Sequence, residues 1–443
     1  MSNTATPAPS LLEQRAICKI TRRLIPFLML LYLVAFLDRI NVGFAALTMN
    51  HEIGLTPRMF SFGAGIFFAG YFAFEVPSTI ILHKVGARFW IGRVMITWGL
   101  VSVATAFIRG PISFCVLRFL LGLAEAGFFP GIILYLSYWF PANHRSAVTA
   151  MFMAAAPVAG LVGSPVSGAL MRLNGPLGLH GWQWLFLIEG LPALVLGLVT
   201  LRFLTDRPAD AAWLAPDERD WLSRAIQQEQ SSFRDPRSHS AWRALADPKV
   251  LALSRAYFGT SAGLYTIGFW APLIVSGLGF SILRTGFLVA IPNLIAVIGM
   301  ILWSRNSDRT GERYWHAAIA CLIAAVGMAV AARAGSSAIL AITGLSLTAF
   351  GVSAAKPPLW SLPTTFFAGT AAAASIGLIN SLGTLGGFVG PYMIGSTTGT
   401  GGHFSRGLSL VGGTLIVSAV TIILMRLMLH RNAGQDLQPR KAL

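Results

Sequence analysis

The chain has 443 residues, of which 55% are hydrophobic and only 11% charged, where a soluble domain carries about 25% charged residues. With a mean hydropathy of +0.66, this excludes an ordinary soluble protein and leaves a polytopic membrane protein as the first reading. A net charge of +16 would suit nucleic acid, but the basic residues are confined to particular loops and report topology instead.

Apolar stretches of about 20 residues, the length that crosses a hydrocarbon core as a helix, recur from residue 24 almost to the C-terminus. In chain order they are Leu24–Leu47, Phe60–Leu82, Trp90–Ile108, Ile112–Leu134, Ala147–Met171, Trp184–Leu204, Leu251–Gly277, Thr285–Trp303, Trp315–Ala334, Ile339–Trp360, Ala371–Gly395 and Gly407–Met428. Twelve spans are thus expected. The one long polar stretch, Thr205 to Val250, separates the sixth from the seventh. The predicted organisation is a six-helix half over residues 1–204, a linker over 205–250 and a second six-helix half over 251–443. Within the linker, "LAPDERDWLSRAIQQEQ" has a Pro near a helix start, acids in the first turn and Arg later, and predicts a surface helix.

Arg15, Lys19, Arg22 and Arg23 precede the first span, Lys84 and Arg88 follow the second, and Arg145 follows the fourth. Arg305, Arg309 and Arg313 follow the eighth, and Arg431, Arg440 and Lys441 follow the last, whereas the segment from His51 to Thr56 has no Lys or Arg. By the positive-inside rule both termini and the linker are expected to be cytoplasmic. Residues 1 to 10 are polar, and the first span is too long for a signal-peptide core, so no cleavage is expected. Cys18, Cys115 and Cys321 are too scattered for a disulfide framework or metal cluster. No metal or cofactor is expected.

Two echoes suggest internal repetition. "HKVGARFW" after the second span matches "SDRTGERYWH" after the eighth, each packing a Gly and an Arg into a tight turn. "VGSPVSGAL" in the fifth span matches "FVGPYMIG" in the eleventh, and there Gly and Pro are expected to break the helix, which lipid forbids unless the break is buried or lines a cavity. Any single Gly also suits close helix packing. Repeats at equivalent places are common in transporters, with the site at the midplane where they meet.

With twelve spans and a central loop, the motifs "LDRINVGFAAL", "GYFAFEVPST", "RFLLGLAEAGFFPG", "GWQWLFLIEGLPAL", "LTDRPADAAWL", "SDRTGERYWH" and "INSLGTLGGFVGP" resemble the anion:cation symporter family of the major facilitator superfamily. The likeness covers nearly the whole chain and lies with the bacterial branch of tartrate, 4-hydroxyphenylacetate and phthalate permeases. It implies an all-α transporter of the bacterial inner membrane that works as a monomer and imports a small organic acid with protons.

The residues themselves carry a chemical argument. An ionisable side chain at the centre of a spanning helix costs roughly 2.5–3.5 kcal/mol on insertion scales, so such residues face a partner or a wet cavity. This chain places Asp38 and Arg39 in the first span and Arg118 and Glu125 in the fourth. Arg118 and Glu125 are two turns apart on one helix face; Asp38 and Asn41 share another, with Arg39 turned about 100° away. One reading makes all four charges structural ion pairs. In the other, Arg39, Arg118 or both bind a carboxylate through the planar guanidinium fork, while Asp38 and Glu125 carry protons, the division that the resemblance implies. Glu125 beside Arg118 would then compete with substrate for the guanidinium.

Further substrate-binding candidates are Tyr71, Lys356, Trp360 and Asn380. Tyr71, one turn before Glu75, could donate its hydroxyl, and Glu75 reads equally as a partner for a basic residue. Lys356 in "AAKPPLW" either snorkels to an interface or faces the cavity as a third cation, with Trp360 one turn on. Asn380 and Ser381 could bond substrate or join helices. Tyr265 and Trp270 could wall the cavity or simply pack. An exchanger or exporter not driven by protons would use the same charges. A membrane enzyme is disfavoured, since no HExxH, phosphate loop or nucleophile elbow occurs.

Overall fold

A computed structural model describes residues 11–173, 175–232, 247–366, 369–398 and 404–435. All regular structure among them is helical, as a lipid environment requires of segments whose backbone groups must be satisfied internally. The linker residues 233–246 and the basic positions Arg440 and Lys441 lie outside the described residues.

The first six spans are α1 (Leu11–Ile40) continued by α2 (Val42–Glu52), α3 (Pro57–Val85), α4 (Ala87–Ala104), α5 (Pro111–Glu125) with α6 (Phe128–Trp139), α7 (Ala142–Met153) with α8 (Ala155–Leu170), and α9 (Gly181–Phe203). The linker carries α10 (Pro216–Ser232), as its Pro and acidic first turn predict. The last six spans are α11 (Pro248–Ser276), α12 (Ile282–Thr310), α13 (Arg313–Ala332), α14 (Ala338–Ser361), α15 (Gly369–Thr384) with α16 (Gly386–Thr397), and α17 (Ser405–Gln435). Among the described residues eleven segments are long and apolar enough to cross a membrane as one helix, and the α15–α16 pair occupies the remaining expected position.

Most of the junctions are continuous: Asn41, Ala154 and Leu385 all keep right-handed helical φ and ψ. A true break falls between α5 and α6, where Ala126 is extended and Gly127 has φ +84°. It directly follows Glu125. The breaks expected at the proline echoes do not occur, because the helices run through Pro165 and Pro391. A proline inside a helix removes a ladder bond without ending the helix where tertiary packing holds both sides. The two Gly-Arg turns do match. Gly86 has φ +92° and Gly311 φ +69°, a region that suits glycine. A Cβ on Gly86 would also come within 2.9 Å of Asp206 Oδ1, which accepts the Arg88 backbone N–H at 2.8 Å.

Ion pairs gather the ends of several helices at one face of the bundle. Lys19 pairs with Glu218 of α10 at 3.0 Å, Arg145 with Glu229 of α10 at 2.9 Å, and Arg426 with Glu312 at 3.2 Å. This end, the linker face, carries the basic loops.

At the opposite end, the far face, glycines bring the first and last six spans into backbone contact. A Cβ on Gly43 would lie 2.6 Å from Gly268 O, one on Gly286 2.6 Å from Ser164 O, and one on Gly395 2.4 Å from Pro57 O. Small residues permit such approach. Gly286→Val is therefore expected to hold this seam open: uptake should fall sharply in a protein that still inserts, and a cysteine replacing the neighbouring buried Thr285, 0% exposed, should gain reactivity to a membrane-impermeant thiol reagent. Normal uptake and an unreactive cysteine would show that the seam tolerates the added bulk.

Candidate functional site

A cavity of about 2260 Å³ opens at the linker face, where Arg305 and Asp308 line it, and penetrates between the first and last six spans. Its deeper lining includes Tyr32, Phe36, Glu75, Lys356, Trp360 and Asn380. The far-face glycine seam closes the other end.

Behind Tyr32 and Phe36 lie the charges of spans one and four. Asp38, Arg39, Arg118 and Glu125 are 2%, 6%, 0% and 1% exposed, so each must find compensation within the protein. Arg39 donates to Glu125 Oε1 in a buried ion pair, and its other terminal nitrogen donates to Tyr265 Oη at 2.7 Å. Tyr265 belongs to α11, so the pair in the first six spans touches the last six. The aromatic rings of Phe67 and Tyr71 lie 5.1 and 5.3 Å from the guanidinium carbon, within cation–π range.

Asp38 is held differently. Trp98 Nε1 and Ser102 Oγ each donate to one of its oxygens at 3.0 Å. Arg118 has no hydrogen-bond partner at any guanidinium nitrogen and is flanked by Phe67 at 5.2 Å and Phe269 at 6.0 Å. Glu125 thus bonds Arg39, not the Arg118 that shares its helix, because helix α5 ends at Glu125 and the carboxylate meets α1. The pairing expected between Arg118 and Glu125 is thus replaced by one between Arg39 and Glu125. Neither arginine lines the open cavity, and Tyr71, 2% exposed, also lies behind its wall.

Three other candidates do reach the cavity. Lys356 lines it, so it faces the cavity and not lipid, and it enters none of the hydrogen bonds or ion pairs found among the described residues. Trp360 packs edge-on against Tyr257 at 4.9 Å and tilts towards Phe129 of α6 at 6.5 Å, with its indole N–H unpartnered. Asn380 Nδ2 and Ser381 Oγ both donate to the Glu75 carboxylate, the latter at 2.6 Å. Glu75 therefore bridges α3 to α15 through an amide and a hydroxyl, in place of the basic partner weighed from sequence. Trp270 is packed between Phe60 and Phe404, donating to Pro391 O at 3.3 Å.

Sequence reasoning undervalued Tyr265 and did not single out Trp98, Ser102 or Glu189. Only Glu189 carried a signal, as an acid inside an apolar span. Replacing Lys356 by Gln is expected to weaken binding of a dianionic acid by roughly tenfold or more, the scale of a lost charge-assisted bond, with a smaller effect on a monoanion. Equal affinities for both, measured by calorimetry in detergent, would remove Lys356 from the anion site.

A helical bundle of this kind, closed at one end, open at the other and holding paired charges at its centre, defines a membrane transporter. The chain belongs to the Major Facilitator Superfamily, whose family model matches residues 28–391. It is similar to a protein of Agrobacterium vitis named as an unconfirmed tartrate transporter, at 59% identity over 94% of this chain and 92% of that protein. A quinolone resistance transporter of Acinetobacter baumannii is 38% identical over 97% of this chain and 99% of its own length. Among solved structures, the Escherichia coli xylose transporter XylE in a partially occluded inward open conformation aligns with a TM-score of 0.73 at 15% identity, covering 91% of this chain and 97% of that one. That likeness concerns the fold alone. The sequence resemblance to tartrate-type permeases holds, and the protein is a transporter with no enzymatic role.

Proposed function

We propose that this carrier imports a small hydroxy-dicarboxylate of the tartrate class together with protons, as a monomer in the bacterial inner membrane with both termini cytoplasmic. The observation that carries the reading is the buried Arg39–Glu125 pair at the closed end of a cavity lined by Lys356, which is unpaired among the described residues. A carboxylate already occupies the guanidinium, so an incoming substrate carboxylate can take that position once Glu125 is neutralised by a proton. Substrate and proton occupancy are thereby linked, which is the thermodynamic requirement for coupling. Arg39 and Arg118 would face one acidic group and Lys356 the other, with Tyr71, Asn380 and Trp360 contributing polar contacts. Asp38 and Glu125 would carry the protons.

In the cycle, residues 1–204 and 251–443 form halves that rock about the site, and the 205–250 linker tethers them through α10. With the basic loops on the cytoplasmic side, the present conformation is inward-facing, and release of acid and proton through the open cavity resets the carrier.

The test is uptake of labelled tartrate, phthalate, 4-hydroxyphenylacetate and a sugar acid into proteoliposomes, with and without an inward proton gradient. Accumulation of tartrate that collapses with a protonophore is expected. Net movement indifferent to the gradient would instead favour an exchanger or exporter.

A further inference from the structure

Beside Asp38, Glu75 and Glu125, the first six spans bury a fourth acid that has no place in this scheme. Glu189 of α9 is 6% exposed. Its Oε1 accepts from Ser167 Oγ of α8 at 2.7 Å, and its Oε2 has no hydrogen-bond partner. Asn41, 1% exposed at the α1–α2 junction, turns its amide to this carboxyl without reaching full hydrogen-bond geometry. Ion pairs among the described residues leave Glu189 without a cation.

Glu189 also adjoins Asp38. The next residue, Gly190, packs so closely on α4 that a Cβ there would lie 3.1 Å from Ser102 Oγ, and Ser102 is the residue that donates to Asp38. Asp38 and Asn41 share a helix face. Asp38 is the titratable group that faces Glu189, while α2, α4 and α8 pack on α9 without adding a charged group there. Arg118 is the cation whose charge reaches Asp38, while none reaches Glu189, and two neighbouring buried carboxyls in that setting are most stable holding a single negative charge between them. Asp38, with two donors, is the better site for that charge, and Glu189 for the proton.

Towards the far face the same side of α9 carries Trp182, two turns or about 10 Å from Glu189. Its indole N–H donates to Glu52 Oε2 at 2.6 Å, and Glu52 pairs with His180 at 3.4 Å, with side chains 28% and 52% exposed. Titratable groups thus stand in water at one end of a line that passes Glu189 and ends at Asp38.

We propose that Glu189 is a proton-binding site of this carrier, loaded from the far-face end of α9 and discharging to Asp38. In the transfer the O–H bond at Glu189 breaks and one forms at Asp38, leaving Glu189 as the carboxylate and Asp38 as the neutral acid. A proton from the far-face solution then restores Glu189. The inference rests on the proton-coupled reading above for its role in transport, but not for proton binding itself.

The experiment pairs two readouts on the full chain in liposomes. Infrared difference spectra between acidic and alkaline buffer are expected to show a carboxylic-acid band in the wild type, part of which disappears in Glu189→Gln. Tartrate uptake in that variant is expected to lose its response to an inward proton gradient far more than its exchange at equal pH. A purely structural role would lower both rates together, and that result, or an unchanged infrared band, would overturn the proposal. If Glu189→Gln does not fold, Glu189→Asp serves: it keeps an acid at altered reach and is expected to shift the pH profile of uptake, and an unshifted profile would overturn the proposal. A wild type that shows the Glu189 band yet ignores the proton gradient would defeat the symport reading and leave the proton site standing.

Discussion

Glu125→Gln is expected to abolish accumulation of substrate against its gradient while substrate still binds and exchanges across the membrane. Glutamine preserves the shape of the side chain and can still accept from Arg39 through its amide oxygen, so the break that follows at Ala126 and Gly127 retains its local contacts. What is lost is the charge that changes on protonation. Arg39 then faces the substrate position without an internal anion in competition, and substrate binding no longer depends on a proton at this site. The affinity for the acid should stay the same or tighten, and its pH dependence should flatten. Proteoliposome counterflow separates the two activities. Undiminished proton-driven accumulation would show that Glu125 carries no proton and that its pairing with Arg39 is architectural.

Arg39→Ala is expected to produce the largest loss of stability of any single change at the site. It removes the ion pair with Glu125 and the bond to Tyr265 at once, and leaves Glu125 as a buried carboxyl 1% exposed without its cation. Removing one partner of a buried pair costs about 3–5 kcal/mol. Most of that cost is the stranded charge, so Arg39→Ala combined with Glu125→Gln should recover much of the stability but none of the substrate binding. Thermal unfolding in detergent measures the first quantity and ligand binding the second. Additive losses in the double variant would show that the two side chains do not compensate each other, and retained binding would remove Arg39 from the anion site.

The two predictions separate roles that share one contact. Arg39 pairs with Glu125 and Tyr265 and, under the proposed function, would also bind the anion; Glu125 pairs with Arg39 and would carry the proton. The contact from Arg39 to Tyr265 adds a link between the two groups of spans. Loss of that phenolic contact is the route by which substrate or proton binding would be felt in α11.

Much of this was legible in the chain before any fold was known. Length and hydropathy alone placed the spans, because an apolar run of fixed length has one stable form in lipid. The two Gly-Arg turns were recognisable because glycine is the residue that occupies positive φ without strain, and Gly86 and Gly311 do so. Asp38, Arg39, Arg118 and Glu125 stood out because a charge in an apolar span is costly enough to require a reason.

Partner choice was not legible. Helical periodicity put Arg118 and Glu125 on one face, but a periodicity describes one helix, and the bond that formed runs between helices, from α1 to α5. For the same reason Glu75 could be read as seeking a base, when α15 supplies an amide and a hydroxyl. Lys356 could be placed at an interface or in a cavity with equal justification, since a position along a helix does not state which way it faces. The sequence by itself determined that this is a many-span helical membrane protein with charges its interior must compensate, since burial energies depend on residue type and run length. Only the tertiary structure decided which charge meets which, that the cavity opens at the linker face, and that glycines seal the far one, since those contacts join residues distant in the chain at distances of a few ångströms.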